Sequence, residues 1–385
     1  MPWKRESLMD QKVQMVGEWL SGDYTKSDLS RRYCVSRPTI DKWLSRFEAS
    51  SVEGLEERSR APHTSPNRTS DDVRDALIAA KLVHPSWGPK KLVAFLSASQ
   101  PCIAWPAPST AGDILKRAGL VKPRRKVRRT PPGFGPLRHC QAPNQVWSID
   151  YKGDFRTGDG RRCYPLTLSD NDSRYLLLCQ GLRHPRRQET QGFVEWAFRE
   201  YGLPEAIRSD NGVPFASRGL GGLTPMSVWW IRLGITPERI KPGRPDQNGR
   251  HERMHRTLKA EVCTPPRATL GQQQEAFNAF CREYNETRPH EALRMTPPAA
   301  HYRPSLRPYP ERIPDIEYAG DCQVRKVRSN GEIKWQGKKI FTSTALVGQP
   351  VALKEDEQGI WQLWYSSHHI GTLNPKAGKF IDPKV

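Results

Sequence analysis

The chain has 385 residues and a formal net charge of +20, with 61 Lys and Arg residues against 41 Asp and Glu residues. This length favours two or three domains, and so large a positive surplus favours nucleic acid or another anionic surface as the partner. No apolar run approaches the ~18 residues of a membrane span, and no signal-peptide core follows Met1, so a soluble, cytoplasmic protein is expected.

The cysteines predict neither a disulfide framework nor a zinc site. None of them forms a CxxC pair, and no His and Cys spacing resembles a zinc finger. Reduced core thiols are therefore expected at Cys34, Cys102, Cys140, Cys163, Cys179, Cys263, Cys281 and Cys322.

Residues 1–50 have the pattern of a helix-turn-helix domain. An apolar stripe predicts a first helix that ends at Gly22, with Leu8, Met9, Val13, Val16, Trp19 and Leu20 on its inner face. After a short helix, Ser36 caps a third helix whose core face is Ile40, Trp43, Leu44 and Phe47. In a recognition helix the outward residues contact bases and phosphates, here Arg37, Thr39, Lys42 and Arg46. The alternative is a packing module with solvated basic residues.

Residues 51–69 are polar and typical of a linker, and a second helix-turn-helix domain is predicted over residues 70–120. Its three helices are marked by Leu77, Leu92 and Leu115, and Ser109 is expected to cap the third. Lys116 and Arg117 point outward and are the expected phosphate contacts.

Residues 121–139 form a basic linker without acidic residues. Such a segment cannot bury a core and is expected to stay extended. Either it is simply solvated or it lies along DNA, in which case the contacts are Arg124, Arg125, Lys126, Arg128 and Arg129.

Residues 140–302 alternate strand and helix patterns. Three consecutive strands are predicted at 145–150, 161–168 and 175–181, followed by a helix at 190–201. A strand at 206–209, a helix at 225–233, a strand at 235–240 and two further helices complete the order. This order predicts a mixed sheet with helices on both faces.

Three acidic residues occupy the element ends of this pattern. Asp150 and Asp210 follow apolar strands, and Glu252 lies just inside a helix that begins after Asn248-Gly249. Two carboxylates about 4 Å apart repel by roughly 4 kcal/mol at an effective dielectric near 20, so a cluster of acids needs divalent cations. Mg²⁺ prefers carboxylate oxygens, and a pair of such ions can clamp an in-line phosphoryl transfer. One metal site built from these three acids is predicted.

The alternative for each acid is an ordinary solvated surface charge. Asp170 and Asp172 also follow an apolar strand, but Ser169–Ser173 has the pattern of a hairpin turn. These two acids therefore rank below the three predicted ligands.

Four sequence words support the same interpretation: WSIDYKG at 147–153, RSDNGVPF at 208–215, GRPDQNGRHER at 243–253 and YNETRPHEAL at 284–293. On these words the chain resembles the DDE transposases of the retroviral-integrase superfamily, of the bacterial insertion-sequence type. The resemblance implies a ribonuclease-H-like core, a catalytic triad of Asp150, Asp210 and Glu252, and two Mg²⁺ ions, with Mn²⁺ as a substitute. The interval between Asp210 and Glu252 is longer than the family's, so a small insertion is expected at 217–225.

The resemblance also implies double-stranded DNA as the substrate. Metal-activated water would free a 3′-OH at each end of a mobile element, and that hydroxyl would attack target DNA. A dimer or larger assembly on paired ends follows, and the linkers would let one chain's DNA-binding domains hold one end while its core serves the other. The protein would be bacterial and associated with the nucleoid.

Four polar residues around Glu252 are the expected contacts to DNA near the metals: Asn248, His255, Arg256 and Lys259. Beyond a Pro-rich linker at 303–317, residues 318–385 resemble a small SH3-like β-barrel, with a hairpin turn at Asn330-Gly331. Two other functions stay open, a structure-selective nuclease on the same fold and a catalytically inactive DNA-binding regulator.

Overall fold

The computed structural model of the chain describes residues 7–57, 68–121, 137–217, 219–241, 244–374 and 378–382. It divides into two units, Met1–Arg68 and Thr69–Val385. The five predicted DNA contacts of the basic linker, from Arg124 to Arg129, lie outside the described residues. Within the described part, no helix is long and apolar enough to cross a membrane.

The cysteines are all free, as predicted. Three of them, Cys163, Cys179 and Cys263, are buried in the second unit, whereas Cys34 and Cys102 are exposed. The expectation of core thiols is therefore wrong at these two exposed positions.

The first unit contains α1 (Leu8–Leu20), α2 (Lys26–Arg32) and α3 (Arg37–Ser50). Capping boxes begin α1 and α2, in which Ser7 and Thr25 each exchange hydrogen bonds with an Asp three residues later. The predicted core face of α3 is confirmed, since Ile40, Trp43 and Leu44 are buried and Phe47 packs against them.

Two predictions for this unit are wrong in part, one at the ends of the apolar face of α1 and one at the start of the linker. Leu8 and Leu20 are 74% and 66% exposed, because the buried face of α1 is centred on Met15 and Val16. Leu55 is fully buried, and its carbonyl accepts a hydrogen bond of 3.0 Å from Lys12. The helical domain therefore continues past residue 51, where the linker was expected to begin.

The second helical domain consists of α4 (Asp71–Val83), α5 (Pro89–Ser99) and α6 (Pro108–Arg117). Its core contains Leu77, Leu92 and Leu115, as the sequence indicated. The predicted cap at Ser109 is wrong, because Ala107 is the N-cap and Pro108 begins the helix, a position that suits the fixed φ of proline.

Within the described residues, the central domain that follows residue 140 has a six-stranded mixed sheet. Its strands are β1 (Val146–Tyr151), β2 (Phe155–Arg156), β3 (Arg162–Asp170), β4 (Leu176–Leu182), β5 (Ala206–Ser209) and β6 (Thr236–Arg239). Strand β1 pairs with β3 antiparallel and with β5 parallel, and β6 continues the parallel side. The antiparallel half is formed by strands that are consecutive in sequence, as predicted.

Four helices cover this sheet: α7 (Arg187–Tyr201), α8 (Pro225–Arg232), α9 (Gly249–Leu258) and α10 (Leu270–Arg282). Helices α7 and α8 share one apolar cluster with Trp147 and Ile149 of β1. Helices α9 and α10 share another with Cys163 and Cys179. The predicted ribonuclease-H-like core, a mixed sheet with helices on both faces, is confirmed.

The C-terminal region is a small antiparallel sheet domain. One sheet contains β7 (Gln323–Lys326), β10 (Pro350–Glu355), β11 (Trp361–Tyr365), β12 (His368–Asn374) and β13 (Lys379–Ile381), and a hairpin contains β8 (Glu332–Trp335) and β9 (Lys338–Phe341). The hairpin turns at Gln336-Gly337, both with positive φ, as a two-residue turn requires. The chain does turn at Asn330-Gly331, where the N–H of Gly331 donates to the carbonyl of Arg328 at 2.9 Å. The predicted hairpin is wrong, because this turn connects β7 and β8, which pair with different strands.

The segment at 303–317 is attached to the core and is not a free linker. Arg307 donates hydrogen bonds of 2.9 Å to the carbonyls of Pro204 and Leu233, and its own carbonyl accepts one of 2.7 Å from the backbone of Leu203.

The expected insertion attaches the C-terminal domain to the core. The backbone N–H of Gly221 donates to Asp382 at 2.6 Å, and a Cβ at Gly221 would lie 3.2 Å from Ile370. Leu223 before α8 and Val228 within α8 are buried in the apolar cluster of the C-terminal domain. The core and this domain therefore share one hydrophobic interface.

Candidate active site

Parallel pairing of β1 and β5 brings two of the predicted ligands to one edge of the sheet. Ser148 is paired with Arg208, and Asp150 and Asp210 each follow two residues later, on the same face because strand side chains alternate. Asp210 is held in a turn, in which its Oδ1 accepts a hydrogen bond of 3.0 Å from the N–H of Gly212.

The third predicted ligand lies on α9. Glu252 lies in the first turn of the helix and is exposed. Burial, the charge of Asp210 and, less strongly, the charge of Glu252 raise the pKa of the Asp150 carboxyl to about 7. The fields of both other acids therefore reach Asp150, as they must if the three act together.

The three carboxylates do not form a closed cage. Among the described residues, no group of three His, Cys, Asp or Glu side chains is close enough to hold a metal ion by itself. Their chemistry nevertheless fits Mg²⁺, which prefers carboxylate oxygens and usually keeps several waters or shares substrate phosphates. Repulsion that raises the pKa of Asp150 is relieved when a cation binds.

Buried histidines support β1 from the inner face of α9. The Thr167 hydroxyl donates to the backbone carbonyl of Asp150 at 3.1 Å, so the Nε2–H groups of His251 and His255 both donate to Thr167, at 2.8 and 2.6 Å. Nδ1 of His251 then accepts from Ser169 at 2.7 Å. This network joins α9 to β3 and to the backbone of a predicted metal ligand.

His255 is 5% exposed, which argues against its predicted contact with DNA. Its Nδ1 lies 3.8 Å from Oδ2 of Asp150. The two groups do not form an ion pair, because burial and the neighbouring His251 lower the pKa of His255 to about 2. His255 therefore packs as a neutral ring behind Asp150.

Asn248 is also buried, at 5% exposure, so its predicted DNA contact is replaced by an internal role. Its Oδ1 accepts a hydrogen bond of 2.9 Å from Ser148, which in turn accepts one of 2.8 Å from Asn171. These bonds fix the start of α9 against β1. Arg256 and Lys259, by contrast, are exposed and free to face a ligand.

Asp170 is occupied by structural hydrogen bonds. It is 1% exposed, and its carboxylate accepts 2.7 Å bonds from the backbone N–H groups of Asn144 and Ser173 and from the Ser173 hydroxyl. These bonds close the turn after β3. Because these bonds occupy the carboxylate of Asp170, the geometry agrees with ranking Asp170 below the three predicted metal ligands.

Arg208 is a site residue that the sequence interpretation missed. It is buried, donates to Glu238 of β6 at 3.0 Å, and reaches the carbonyls of Gln247 and Arg138. It therefore holds the segment before α9 against β5. The buried ion pair could have been suspected from two charged residues inside adjacent apolar strands.

Two of the four predicted DNA contacts on α3 are exposed, and the Lys42 ammonium lies 4.8 Å from the ring of Trp43. Arg37 and Lys42 are exposed, whereas Thr39 and Arg46 are half-buried. The Thr39 hydroxyl lies 2.9 Å from that of Ser36, and the Arg46 guanidinium lies 5.0 Å from the ring of Trp43. Lys116 and Arg117 at the end of α6 are exposed, as predicted.

The buried imidazole of His251 predicts an acid-sensitive fold. Burial lowers its pKa to about 3, whereas an unfolded histidine titrates near 6.5. Below pH ~6.5 the unfolded state binds the extra proton, so this group's contribution to stability is lost as the pH falls, by about 2 kcal/mol at pH 5. His251→Gln should flatten the dependence of the urea midpoint between pH 7 and pH 5. An unchanged pH dependence would show that His251 titrates normally in the folded protein.

Family comparisons agree with this architecture. Models described as integrase core domain match residues 141–245 and 233–298, and the model of the C-terminal domain of IS481 family transposases matches residues 322–379. A homeodomain-like model matches residues 39–115, and a helix-turn-helix model matches residues 11–63.

Two insertion-element proteins are similar in sequence. The uncharacterized 31.7 kDa protein of IS407 from Burkholderia multivorans is 30% identical over 191 residues, which are 48% of this chain and 65% of that protein. The uncharacterized 39.2 kDa protein of IS476 from Xanthomonas euvesicatoria is 26% identical over 290 residues, 74% of this chain and 81% of that protein. The chain thus spans slightly less than two thirds of the first relative.

Among solved structures, the HTLV-2 integrase catalytic core in complex with magnesium aligns with 43% of this chain and 100% of its own length, at 16% identity and a TM-score of 0.35. A TM-score this low does not support any conclusion about the function of this chain.

Proposed function

We propose that this chain, which belongs through its integrase core to the superfamily of insertion-element transposases and retroviral integrases, joins the ends of a mobile DNA element to target DNA. The observation that supports the proposal is the parallel pairing of β1 and β5, which places Asp150 and Asp210 at the same end of adjacent strands, together with the charge of Glu252, which also acts on Asp150. The helix-turn-helix domains would bind the terminal repeats of the element.

The proposed reaction has two phosphoryl transfers. In the first, water attacks the phosphodiester at the element end, the P–O bond to the 3′ oxygen breaks, and a 3′-OH is freed. In the second, that 3′-OH attacks a target phosphodiester, one P–O bond forms, and the target strand's own 3′-OH leaves. No covalent link between protein and DNA is required.

The residues of the chain have distinct roles in this proposal. Asp150, Asp210 and Glu252 would hold two Mg²⁺ ions, which supply charge neutralisation at the phosphate and a more acidic bound water. The carboxyl of Asp150 must lose its proton before it can bind a cation. The ring of His255 behind it is neutral and therefore adds no positive charge that would repel the cation. Arg256 and Lys259, exposed on and just after α9, would contact the phosphates of the bound strand.

A strand-transfer assay with labelled end DNA tests the proposal. Joined product in Mg²⁺ that disappears with a chelator is expected. Cleavage without joining would favour the structure-selective nuclease, and sequence-specific binding without cleavage would favour the inactive regulator.

Moving an element requires that both of its ends be joined to target DNA. Because each chain supplies one triad, we expect at least two chains to assemble on paired ends. Free chains carry +20 each, and this charge opposes self-association until DNA neutralises it. Mass measurement of the free protein and of its complex with paired ends should show a DNA-dependent dimer or larger species. A single chain on two paired ends would contradict this expectation.

A further inference from the structure

The second helical domain is attached to the catalytic core by polar contacts with residues 283–293, which we call the socket. His84 at the end of α4 lies 2.9 Å from Glu283, and Lys90 in the first turn of α5 lies 3.0 Å from Glu291. Between them, Ser86 donates a hydrogen bond to Glu261. The socket contains the sequence word YNETRPHEAL, so the structure gives that word a contact within this chain.

A buried charge forms the centre of this contact. Arg288 of the socket is 7% exposed, and its guanidinium donates to Glu261 at 2.6 Å. The same guanidinium lies 5.8 Å from the ring of Trp87, which is 1% exposed and stacked on His84. Separation of the domains would remove the ring from the Arg288 guanidinium and the Ser86 hydroxyl from Glu261. Loss of these contacts beside a buried ion pair opposes undocking.

The contact also reaches the helix that carries a predicted metal ligand. Glu261 lies in the π-helical segment Lys259–Cys263, which continues directly from α9. Glu252 is on that helix. The second helical domain therefore touches the helical run that presents one of the three carboxylates.

Docking leaves the predicted DNA-binding surfaces open. Lys116 and Arg117 at the end of α6 are exposed, and so are Glu252 and Arg256 on α9. Within the described residues of the second unit, these four side chains are exposed while the domain is docked.

We infer that the second helical domain and the catalytic core of one chain act as a single body on the same DNA end. This inference rests on the proposed joining function, and it specifies which domains act together on each DNA end. It replaces, for residues 69–385, the expectation that one chain's DNA-binding domains hold one end while its core serves the other.

Mixed dimers with lesions on separate chains test the inference. One chain carries Glu252→Gln, and its partner carries Lys116→Glu with Arg117→Glu. Mixed dimers are assembled on paired ends and purified through two different tags. If domain and core act in cis, each end lacks either binding or catalysis, and joining is lost.

The matched control places all three substitutions on one chain and none on its partner. Action in cis predicts that this dimer joins one end, because the unaltered chain is complete. The reverse pattern, in which separated lesions join and combined lesions do not, would overturn the inference, as would loss of joining by both mixed dimers. Failure of the unaltered dimer to join would instead refute the proposed function, so the two failures are distinguishable.

A cross-link gives a second test that does not depend on weakened DNA binding. Lys90→Cys and Glu291→Cys, in a chain whose exposed Cys34 and Cys102 are changed to Ser, replace an exposed ion pair of little energetic value. A reducible bifunctional thiol reagent then holds the domain on the socket. Joining should survive the cross-link. Loss of joining that returns on reduction would show that the domain must leave the core.

Discussion

Asp150→Asn, Asp210→Asn and Glu252→Gln are each expected to lower DNA joining by at least about 1000-fold. Loss of a metal ligand removes several kcal/mol of charge stabilisation, and about 4 kcal/mol corresponds to this factor. None of the three residues lies in a helix-turn-helix domain, so binding to end DNA should change little. The measurement is single-turnover joining beside an affinity titration on the same DNA.

Asp172→Asn is the matched control, since it removes a neighbouring acid at the end of β3. This variant should join like the unaltered chain. If Asp210→Asn joined well and Asp172→Asn did not, the site would have to be moved to the turn after β3.

Arg37→Ala and Lys42→Ala are expected to weaken binding to the cognate end by about 1–3 kcal/mol and to random DNA by less. Both side chains are exposed on α3, the helix predicted to enter the major groove, where base contacts carry sequence preference. Competition binding at fixed salt measures the difference.

Arg31→Ala removes an exposed positive charge from α2 of the same unit and serves as the control. Its effect, if any, should be equal on both DNAs, because phosphate contacts carry no sequence information. If Arg37→Ala lowered the affinity for cognate and random DNA equally, the first domain would have a packing role and would not recognise sequence.

The sequence predicted the catalytic core well because its elements are amphipathic and of ordinary length. Apart from β2, which was not expected, the strands and helices from β1 to α9 lie within a few residues of their expected bounds. The proximity of Asp150 and Asp210 was harder to predict from the sequence, because it depends on the parallel register of β1 and β5. The positions of both acids at strand ends suggested a shared site, and the family resemblance supported that prediction.

The role of His255 was misjudged, although the sequence contained a signal of its burial. His251, Met254, His255 and Leu258 recur at helical spacing, and all four are buried. The two histidines were outside the predicted apolar face because they are polar, and the position of His255 near Glu252 suggested a contact with DNA instead. Their partners Thr167 and Ser169 are far away in sequence, so no local pattern shows that they are satisfied inside the protein.

The docking of the second helical domain had no sequence signal either. Lys90, Glu283 and Glu291 have the character of solvated charges on helical segments, and only the fold places them opposite each other. Long-range polar contacts of this kind have no periodicity. The expectation that the DNA-binding domains and the core of one chain serve different ends followed from the lengths of the linkers, which say nothing about where a domain comes to rest.

Replacement of one carboxylate by a thiolate tests the metal site most directly. Thiolate is a soft ligand that suits Mg²⁺ poorly and later first-row divalent ions better. An Asp210→Cys chain should therefore fail to join DNA in Mg²⁺ and recover part of its activity in Mn²⁺, while Asp172→Cys joins in both. Full activity of the Asp210→Cys chain in Mg²⁺, or the metal switch appearing in Asp172→Cys instead, would contradict the assignment of Asp210 as a metal ligand.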